Sequence, residues 1–494
     1  MPEISPIAST ASPAQPSSPT SPWLRALREL AALWKVAWPI LLGQLAIMGM
    51  STIEVAMAGH VSAPDLAVVS LGVSTWNVTI ITIMGLMMSV APLVAHAYGA
   101  RDLDEIPGMV RQALWKAVFI GLAGMLVMWL AAWALQWLTA EARVREQAQH
   151  FIVIVSFGIP AFAGYRALYS YSTSISQTKP IMVVSVGCLL LNALLNWLLV
   201  FGNWGLPALG GMGCAWATLA CAWFNLLGLG LWVRYGAVYH TTSPLREQTQ
   251  LNLRLHWPTQ RQLMRLGLPI GITFFAETCA FSLIGILIAR FGSTEMAAHQ
   301  VALNFISIVF MLPLSLSTAV LARVGQALGA GTSDVARYRA WLGVVLGFIT
   351  GCVMALVMGL GGSHIASAYT ADAAVAERAT VLLGIAALFQ VFDTVQVIAS
   401  NALRSYKVTR LPMLLYLTAF WGVSLPLGCL LGWAPKWLPS WMHPAQPLGA
   451  VGFWVGLAVG LPIAAFGMIY LLQRTARRTL PALSALPTAA GGHA

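Results

Sequence analysis

Charged side chains are scarce in this chain of 494 residues, since only 9% of them are Asp, Glu, Lys or Arg. A soluble domain usually carries about 25% charged residues. Hydrophobic residues make up 58% of the chain, and the mean hydropathy is +0.76. Such a chain has too few polar residues to cover its surface in water. The composition therefore excludes a soluble protein and indicates an integral membrane protein.

Several motifs of enzymes and cofactor-binding proteins are also missing. The chain has no GxxxxGK[ST] loop for a nucleotide, and it has no HExxH, CxxC or GxSxG motif. Its six cysteines lie in or beside apolar runs, which favours small buried side chains over disulfides or metal ligands. We predict that the protein is not an enzyme, needs no cofactor and has no nucleotide as a partner.

The net charge of +11 is not concentrated in one basic patch, which makes a nucleic acid a poor candidate partner. Of the 27 Lys and Arg residues, 21 fall at breaks on the side of the N-terminus and five at breaks on the opposite side. Arg166 lies within a span. By the positive-inside rule, both termini are cytoplasmic. We expect a multi-pass protein of the bacterial inner membrane, in contact with lipids and acting as a monomer.

Long hydrophobic runs alternate with short polar breaks along the chain. Helical spans need about 20 residues, a length that these runs reach, whereas barrel strands are about 10-residue alternating segments. We therefore predict an all-α membrane protein with 12 transmembrane helices. The predicted spans are 36–58, 66–98, 108–137, 146–173, 180–202, 210–235, 263–290, 296–328, 338–361, 376–404, 411–433 and 449–473.

The breaks divide the chain into six segments. Two of them form the membrane domain, which we name the N-lobe and the C-lobe. The segments are a disordered Ser/Pro/Ala-rich tail (1–22), an amphipathic helix on the inner membrane surface (23–35), the N-lobe (36–236), a cytoplasmic linker (237–262), the C-lobe (263–473) and a cytoplasmic tail (474–494).

The two lobes resemble each other at a constant offset in residue number. Pro39-Ile40 matches Pro269-Ile270, and Gly99-Ala100 matches Gly329-Ala330 at the same offset. The register holds between these two matches without a gap. Each copy has six spans, so both have the same orientation. We predict two pseudo-symmetric six-helix bundles, related by an axis along the membrane normal, around a central cavity.

Three acidic residues lie inside spans, namely Glu54, Glu277 and Asp393. A carboxylate in lipid is costly and by default marks an ion or substrate pathway. We predict that all three couple transport to a proton or a cation, with Na⁺ as a possible ligand of Glu277 and Asp393. The alternative is a protonated acid in a structural hydrogen bond. The repeat offset places Ile47 of the N-lobe at the position equivalent to Glu277, so this acid is specific to the C-lobe.

Polar and aromatic neighbours extend this candidate site. The amides and hydroxyls either hold helices together or contact a cation and its substrate. Bulky aromatic residues are candidates for an adaptable cavity wall, although most aromatics in such a chain face lipid. The polar candidates are Asn192, Asn196, Gln390, Thr394 and Gln396, and the aromatic candidates are Phe275, Phe305 and Phe389.

Five segments resemble the MATE (multidrug and toxic compound extrusion) family, in its NorM-type bacterial branch. The resemblance covers nearly all of residues 36–473. The segments are IEVAMAG (53–59), GLMMSVAPLVAHAYGA (85–100), FFAETCAF (274–281), AAHQVALNFISIVFMLP (297–313) and LFQVFDTVQVIASNALR (388–404).

The resemblance implies two six-helix bundles, alternating access, and drug export driven by inward Na⁺ or H⁺. It maps the acids of the family's first, seventh and tenth spans onto Glu54, Glu277 and Asp393, and its paired span-5 asparagines onto Asn192 and Asn196. Two positions depart from the family pattern. Glu54 stands where Asp is usual, and Phe389 stands where Tyr is common.

We therefore expect a secondary antiporter that exports amphipathic, often cationic organic compounds. The alternative is a flippase for lipid-linked precursors, which has a related two-bundle architecture. A flippase needs a basic cavity for pyrophosphate, and Arg166 is the only cation that the sequence places securely inside a span. A membrane-embedded enzyme is less favoured, because no nucleophile or metal cluster is visible.

Overall fold

The computed structural model describes residues 21–137, 141–205, 207–245, 254–434 and 446–484. Within these ranges the regular structure is helical, without a β-strand, which confirms the all-α class. The helices are α1 (Pro22–Val61), α2 (Ala63–Met87), α3 (Val90–Gly99), α4 (Glu105–Ala134), α5 (Ala142–Ser156), α6 (Ile159–Ser174), α7 (Lys179–Phe201), α8 (Gly211–Tyr235), α9 (Trp257–Ile288), α10 (Ser293–Gly329), α11 (Ser333–Tyr369), α12 (Ala373–Ser405), α13 (Arg410–Leu417), α14 (Leu425–Trp433) and α15 (Ala450–Ser484).

Eleven segments of the described ranges are helical, long and apolar enough to cross a membrane. The pair α5 and α6, bent by 41° at its break, makes a twelfth span. Two further spans are interrupted. The second consists of α2 and α3, and the eleventh consists of α13 and α14, joined by a π-helical turn over Thr418–Ser424. The predicted number of twelve spans is confirmed.

The separate amphipathic helix predicted over 23–35 is instead the first part of α1. This helix runs unbroken for 40 residues and contains Pro39 in its interior. At 1.5 Å per residue it is about 60 Å long, twice the thickness of the hydrocarbon core. The N-terminal third of α1 therefore extends beyond the membrane. Its residue Glu29 contacts the C-lobe, so this part of the helix is packed against protein.

The break between α2 and α3 is stabilised by a buried lysine. Lys116 of α4 donates hydrogen bonds from Nζ to the carbonyl of Leu86 (2.7 Å), to Oγ of Ser89 (2.8 Å) and to the carbonyl of Leu263 (3.1 Å). The carbonyl of Leu86 lies in the last turn of α2, where backbone acceptors lose their helical partners. Ser89 lies in the break itself, and Leu263 belongs to α9. Lys116 thus satisfies a helix end and joins the two lobes.

The two lobes cross at repeat-related glycines. A methyl group on Gly99 would lie 1.9 Å from the carbonyl oxygen of Gln326, and one on Gly329 would lie 2.0 Å from that of His96. The repeat offset relates Gly99 to Gly329, and it also relates His96 to Gln326. Such reciprocal contacts are the signature of a two-fold axis. The axis predicted from the repeat therefore passes through the crossing of α3 and α10.

Hydrogen bonds between the lobes cluster at the end of the molecule that holds the N-terminus of α1. Residues there also join the C-terminal ends of α6, α10 and α12 and the N-terminal end of α11. The pairs include Glu29 with Arg323 and Arg339, His96 with Ser405, Gln326 with Ser174, and Gln112 with Gln260. This end of the bundle pair is closed by polar contacts.

Three predicted boundaries differ from the structure. The helix α9 begins at Trp257, inside the predicted linker over 237–262, and α15 continues to Ser484, inside the predicted tail over 474–494. The first part of the linker packs on the N-lobe, because Tyr239 is fully buried and its hydroxyl donates to Ser172. Residues 1–20, 246–253 and 485–494 lie outside the described residues.

Candidate functional site

The three acids predicted from the sequence lie on helices that line two separate clusters. Glu54 lies in α1 of the N-lobe, Glu277 in α9 and Asp393 in α12 of the C-lobe. Both hydrogen bonds to the Glu54 carboxylate come from the N-lobe. The interactions of Glu277 described below come from the C-lobe. The structure therefore builds one acidic cluster in each lobe.

The N-lobe cluster centres on Glu54, which is 7% exposed. Its Oε1 accepts hydrogen bonds from Nδ2 of Asn192 (2.9 Å) and from the hydroxyl of Thr218 (2.8 Å). Asn192 in turn accepts a bond from Nδ2 of Asn196 at 3.1 Å. The structure thus brings together Glu54 with both predicted asparagines.

Helix geometry explains how this cluster forms. Asn192 and Asn196 are four residues apart on α7 and share one face of it, so the second amide can orient the first. The helices α1 and α7 pack closely along much of their length, with Gly43 opposite Ser185. Thr218 comes from α8, which closes the third side. The two donors stabilise the ionised carboxylate, while its burial opposes the charge.

The C-lobe cluster contains Glu277, Asp393, Tyr416 and Arg404. The two carboxylates are partly buried and interact electrostatically with each other. Arg404 and the Tyr416 hydroxyl both interact with Glu277. Two acids that share a confined space repel each other when both are ionised, so the pair favours the uptake of one positive charge. This arrangement can bind and release a proton or a small cation.

Arg404 is held in place by contacts from both lobes. Its guanidinium donates to Oδ1 of Asn401 at 3.1 Å and lies over the ring of Phe274 at 5.4 Å, one turn before Glu277. It also contacts the sulfur of Met88 in the N-lobe at 3.6 Å. Because Arg404 is 7% exposed, its charge acts on the neighbouring acids at a low effective dielectric.

Other predicted polar residues pack inside the C-lobe. Gln390 and Thr394 are fully buried on the face of α12 that meets α11, where Gln390 contacts Met354 and Thr394 lies against Gly351. Thr394 donates to the carbonyl of Gln390 within its own helix. Gln396 is 4% exposed, and its Oε1 has no partner among the described residues. Gln390 and Thr394 thus pack between α12 and α11, and their predicted role in the cavity stays a prediction.

The aromatic candidates are divided. Phe389 is 3% exposed and its ring lies 6.0 Å from that of Trp454, which places it in the C-lobe core rather than on a cavity wall. Phe305 is partly buried and packs against the same core. Phe275 is 47% exposed. The neighbour of Phe275, Phe274, lies under the guanidinium of Arg404 in the C-lobe cluster.

Three residues of the two clusters were not among the predicted site residues. Thr218 and Tyr416 carry hydroxyl groups of a kind that is common in spans, and nothing local in the sequence marks them. Arg404 ends the predicted tenth span, and the structure keeps it in the last turn of α12. Its burial by Phe274, Asn401 and Met88, which come from three different segments of the chain, is not visible in the sequence.

An apolar cleft lies at the seam between the lobes. It has a volume of about 280 Å³. Leu41 and Leu45 of α1 form one wall, and Leu312 of α10 with Met354 and Met358 of α11 form part of the other. Methionine side chains adapt readily to ligands of different shape. Val353 and Val357 on its rim are more than half exposed, and none of the lining residues belongs to either acidic cluster.

Among the described residues, no group of three or more His, Cys, Asp or Glu side chains is arranged to hold a metal ion. Arg166 of α6 is 5% exposed, and its guanidinium lies over the ring of Tyr169 at 4.1 Å. Its Nε has no partner within the described part of the chain. Lys116, Arg166 and Arg404 are thus the buried cations, each in its own surroundings.

A family model described as MatE matches residues 39–198 and 269–430. The starts of the two matched stretches are separated by the offset of the internal repeat, since they coincide with Pro39 and Pro269. Both lobes therefore match the same family separately.

Curated relatives match along nearly the whole chain. The multidrug resistance protein PmpM of Pseudomonas aeruginosa is 39% identical over 459 residues, which cover 92% of this chain and 93% of the relative. A probable multidrug resistance protein NorM of Chromobacterium violaceum is 38% identical, covering 92% and 95%. The multidrug resistance protein NorM of Vibrio cholerae is 37% identical, covering 90% and 96%.

Solved structures share the fold. The eukaryotic MATE transporter AtDTX14 superposes with a TM-score of 0.81 at 20% identity, covering 93% of this chain and 99% of that one. An outward-facing multidrug resistance MATE family transporter of the MOP superfamily gives 0.79 at 17% identity, covering 94% and 99%. These similarities support the two-bundle architecture.

Proposed function

This chain belongs to the MatE family, and from that premise we propose that it is a multidrug efflux antiporter of the bacterial inner membrane. It exports amphipathic, often cationic organic compounds in exchange for Na⁺ or H⁺. Its relatives named as multidrug resistance proteins support the substrate class. The exchange itself rests on the acidic clusters.

The observation that carries the proposal is the pair Glu277 and Asp393 inside the C-lobe of a membrane protein. Two acids next to each other in an apolar bundle need a positive charge to compensate them. A coupling ion supplies that charge from one side of the membrane, and a cationic compound replaces it from the other. Competition for one pair of carboxylates couples the two fluxes.

The driving force is sufficient for efflux. One inward charge gains about 2.3 kcal/mol per 100 mV of membrane potential. Because about 1.4 kcal/mol corresponds to a tenfold ratio, each net charge that moves inward supports roughly 50-fold accumulation of the compound outside. A one-for-one exchange with a monovalent cationic compound moves no net charge, so the concentration gradient of the coupling ion drives it. Export against such a gradient therefore needs no nucleotide.

We assign the closed end of the molecule to the cytoplasm, which makes this conformation outward-facing. The positive-inside rule places both termini there, and the polar contacts between the lobes lie at the N-terminal end of α1. In alternating access these contacts break while the opposite ends of the lobes approach. The apolar cleft at the seam supplies contact surface for the exported compound.

A lipid-linked precursor flippase is the second candidate function, and the surroundings of the buried cations disfavour it. Lys116 is fully engaged by three oxygen acceptors, and Arg404 donates to Asn401 and lies over the ring of Phe274. Arg166 stacks on Tyr169. A pyrophosphate site needs cations that converge on one anion, and these three have separate partners.

The proposal is tested in proteoliposomes that contain the purified protein and a fluorescent cationic dye. We expect dye transport under an imposed Na⁺ or H⁺ gradient, with the two ions varied independently. Glu277→Gln and Asp393→Asn each remove one charge of the pair, and we expect either to lower transport at least tenfold.

Glu105→Gln is the matched control, because this acid is exposed in the first turn of α4 and lies outside both clusters. We expect wild-type transport from it. Unimpaired transport in both C-lobe variants would show that the acids do not couple the exchange. Transport without any ion gradient would exclude the antiport mechanism.

A further inference from the structure

The hydroxyl of Tyr416 is buried and lacks a well-formed hydrogen bond. Tyr416 lies near the end of α13 and is 2% exposed, and its hydroxyl oxygen makes no hydrogen bond of good geometry among the described residues, although it interacts with Glu277. Buried polar groups in proteins almost always have a partner, so an exception calls for an explanation such as an ion or a functional role. The packing around Tyr416 supplies one.

Aromatic packing holds this side chain against the part of α9 that carries Glu277. The Tyr416 ring stacks on Phe420 with centroids 4.4 Å apart, and Phe420 meets Phe281 edge-on at 6.0 Å. Phe281 follows Glu277 by about one helical turn and therefore lies on the same face of α9. The orientation of Tyr416 towards that acid is thus fixed by two ring contacts.

The π-helical turn after α13 fixes the register of this contact. Within the turn, Trp421 donates from Nε1 to the carbonyl of Ala276 at 3.1 Å, directly before Glu277 in the chain. A π-turn accommodates one more residue than an α-turn, which lets Phe420 and Trp421 both reach α9. Turns of this kind often occur at functional sites.

The charged groups that interact with the Tyr416 hydroxyl are Glu277 from α9 and Asp393 and Arg404 from α12. The hydroxyl itself is neutral. It can donate one hydrogen bond and also offers lone pairs to a cation. It is therefore placed to contact whatever occupies the carboxylate pair.

We propose that Tyr416 is the third member of the C-lobe ion site, a positioning residue whose hydroxyl contacts the Glu277–Asp393 pair. This inference rests on the proposed antiport. When the pair is empty and charged, the hydroxyl donates a hydrogen bond to it. When the pair holds a metal cation, the hydroxyl turns and presents its oxygen as a neutral ligand.

The test compares Tyr416→Phe with wild type in proteoliposomes, in which the rate of dye transport is measured while Na⁺ is varied at fixed pH and pH is varied without Na⁺. The wild type identifies the coupling ion and its half-maximal concentration. We expect Tyr416→Phe to change that concentration on the order of tenfold, the usual weight of a hydrogen bond to a charged group. The maximal rate should change less than about twofold.

The direction of the change depends on the ion. If the ion is Na⁺, the half-maximal concentration rises, because a ligand oxygen is lost. If the ion is H⁺, it falls, because the charged pair loses a donor and takes up a proton more readily. Either change supports the inference, and an unchanged half-maximal concentration overturns it.

Tyr406→Phe is the matched control, since its hydroxyl is also buried without a well-formed hydrogen bond in the described residues but lies beyond the end of α12, near Arg337. We expect wild-type ion dependence from it. If Tyr416→Phe does not fold, Phe420→Leu replaces it. This variant keeps the hydroxyl but removes the ring that orients it, so the change should have the same direction and a smaller size.

The failure of the inference is distinct from the failure of the proposed function. A wild-type protein that transports no dye under either gradient contradicts the antiport before Tyr416 is considered. A wild type that transports, with an ion dependence that Tyr416→Phe and Tyr406→Phe both leave unchanged, contradicts only the role of Tyr416.

Discussion

The state of the Glu54 carboxylate decides what the N-lobe cluster does. Two donors, from Asn192 and Thr218, converge on its Oε1. Both donors stabilise the ionised form, whereas burial in the apolar bundle opposes it. We expect a coupling ion, a proton or a cationic compound to neutralise this carboxylate.

Thr218→Val removes one of these donors while keeping the size of the side chain. We expect dye transport to fall roughly tenfold, because a hydrogen bond to a charged group contributes about 1.5–3 kcal/mol. The measurement is the initial rate of transport in proteoliposomes, together with the thermal stability of the purified variant.

Thr350→Val serves as control, since the hydroxyl of Thr350 bonds only to the carbonyl of Leu346 in its own helix α11. We expect both transport and stability to match wild type. If Thr218→Val lowers stability but leaves transport unchanged, Glu54 is a structural acid and the coupling role is wrong.

The residues that could be predicted from the sequence are those that are costly in a membrane. Glu54, Glu277 and Asp393 stand out because a carboxylate in an apolar span needs a reason. Hydroxyl groups do not stand out, because most of them bond to their own helix, as Thr75 and Thr79 do. Thr218 bonds to an acid on a helix that is distant in the sequence, which no local pattern reveals.

Aromatic residues are also difficult to assign from the sequence to a cavity wall or to the core. Phe389 fits a cavity wall and a core equally well by its chemistry, and only the position of Trp454 decides for the core. The family pattern that this chain resembles has a tyrosine as the common residue at this position. The hydroxyl that interacts with the acids comes instead from Tyr416, which lies later in the chain and on another helix.

At the scale of helices, the sequence predicts spans well and their ends poorly. The long apolar runs predict twelve membrane-spanning helices, because a span inside the bilayer has to form its backbone hydrogen bonds within itself. The ends depend on contacts outside the membrane. The first helix continues to Pro22 because its polar third packs on the C-lobe through Glu29, and a window of apolar residues cannot detect that contact.

The crossing of α3 and α10 sets the distance between the lobes on the closed side. Gly99→Ala places a methyl group within 1.9 Å of the Gln326 carbonyl oxygen, so one helix has to move. Overpacking of this kind costs about 1–3 kcal/mol. We expect the closed arrangement to lose population by roughly five- to 100-fold. Spin labels at Asp102 and Thr332, which are exposed and related by the repeat, report the separation as a distance distribution.

Gly384→Ala is the control, because a methyl group at this position of α12 meets nothing within 4 Å. It should leave the distance distribution unchanged and is expected to stabilise the helix slightly. An unaltered distribution in Gly99→Ala would mean that α3 and α10 are not close in the resting protein.

At the scale of the whole molecule, closure depends on one acid that binds two arginines across the seam. The Glu29 carboxylate contacts Nη2 of Arg323 at 2.6 Å and Nη2 of Arg339 at 2.9 Å, with all three side chains about 17–18% exposed. Charge-assisted pairs of this geometry are strong, and partial burial limits their screening by salt. A transporter has to break them once in every cycle.

Glu29→Gln weakens both contacts without removing the side chain. We expect the closed population to decrease by about five- to 30-fold, which corresponds to about 1–2 kcal/mol. The same labels at Asp102 and Thr332 measure the shift. Because the pairs are partly buried, added salt should reproduce only a small part of this shift in the wild type.

We call the contact of Glu29 with Arg323 and Arg339 the latch. Glu295→Gln is its control, because Glu295 binds Arg378 and both of these residues belong to the C-lobe. A variant that breaks a contact inside one rigid bundle destabilises both conformations equally and shifts nothing between them. A variant that breaks a contact across the seam stabilises the inward-open state relative to the closed one. If both variants moved the label distance by the same amount, Glu29 would act through general stability and not as a latch.

If only Glu29→Gln shifts the label distance, the rate of transport identifies the step that limits the cycle. Loss of the latch speeds the cycle where opening to the cytoplasm limits the rate, and slows it where closure does.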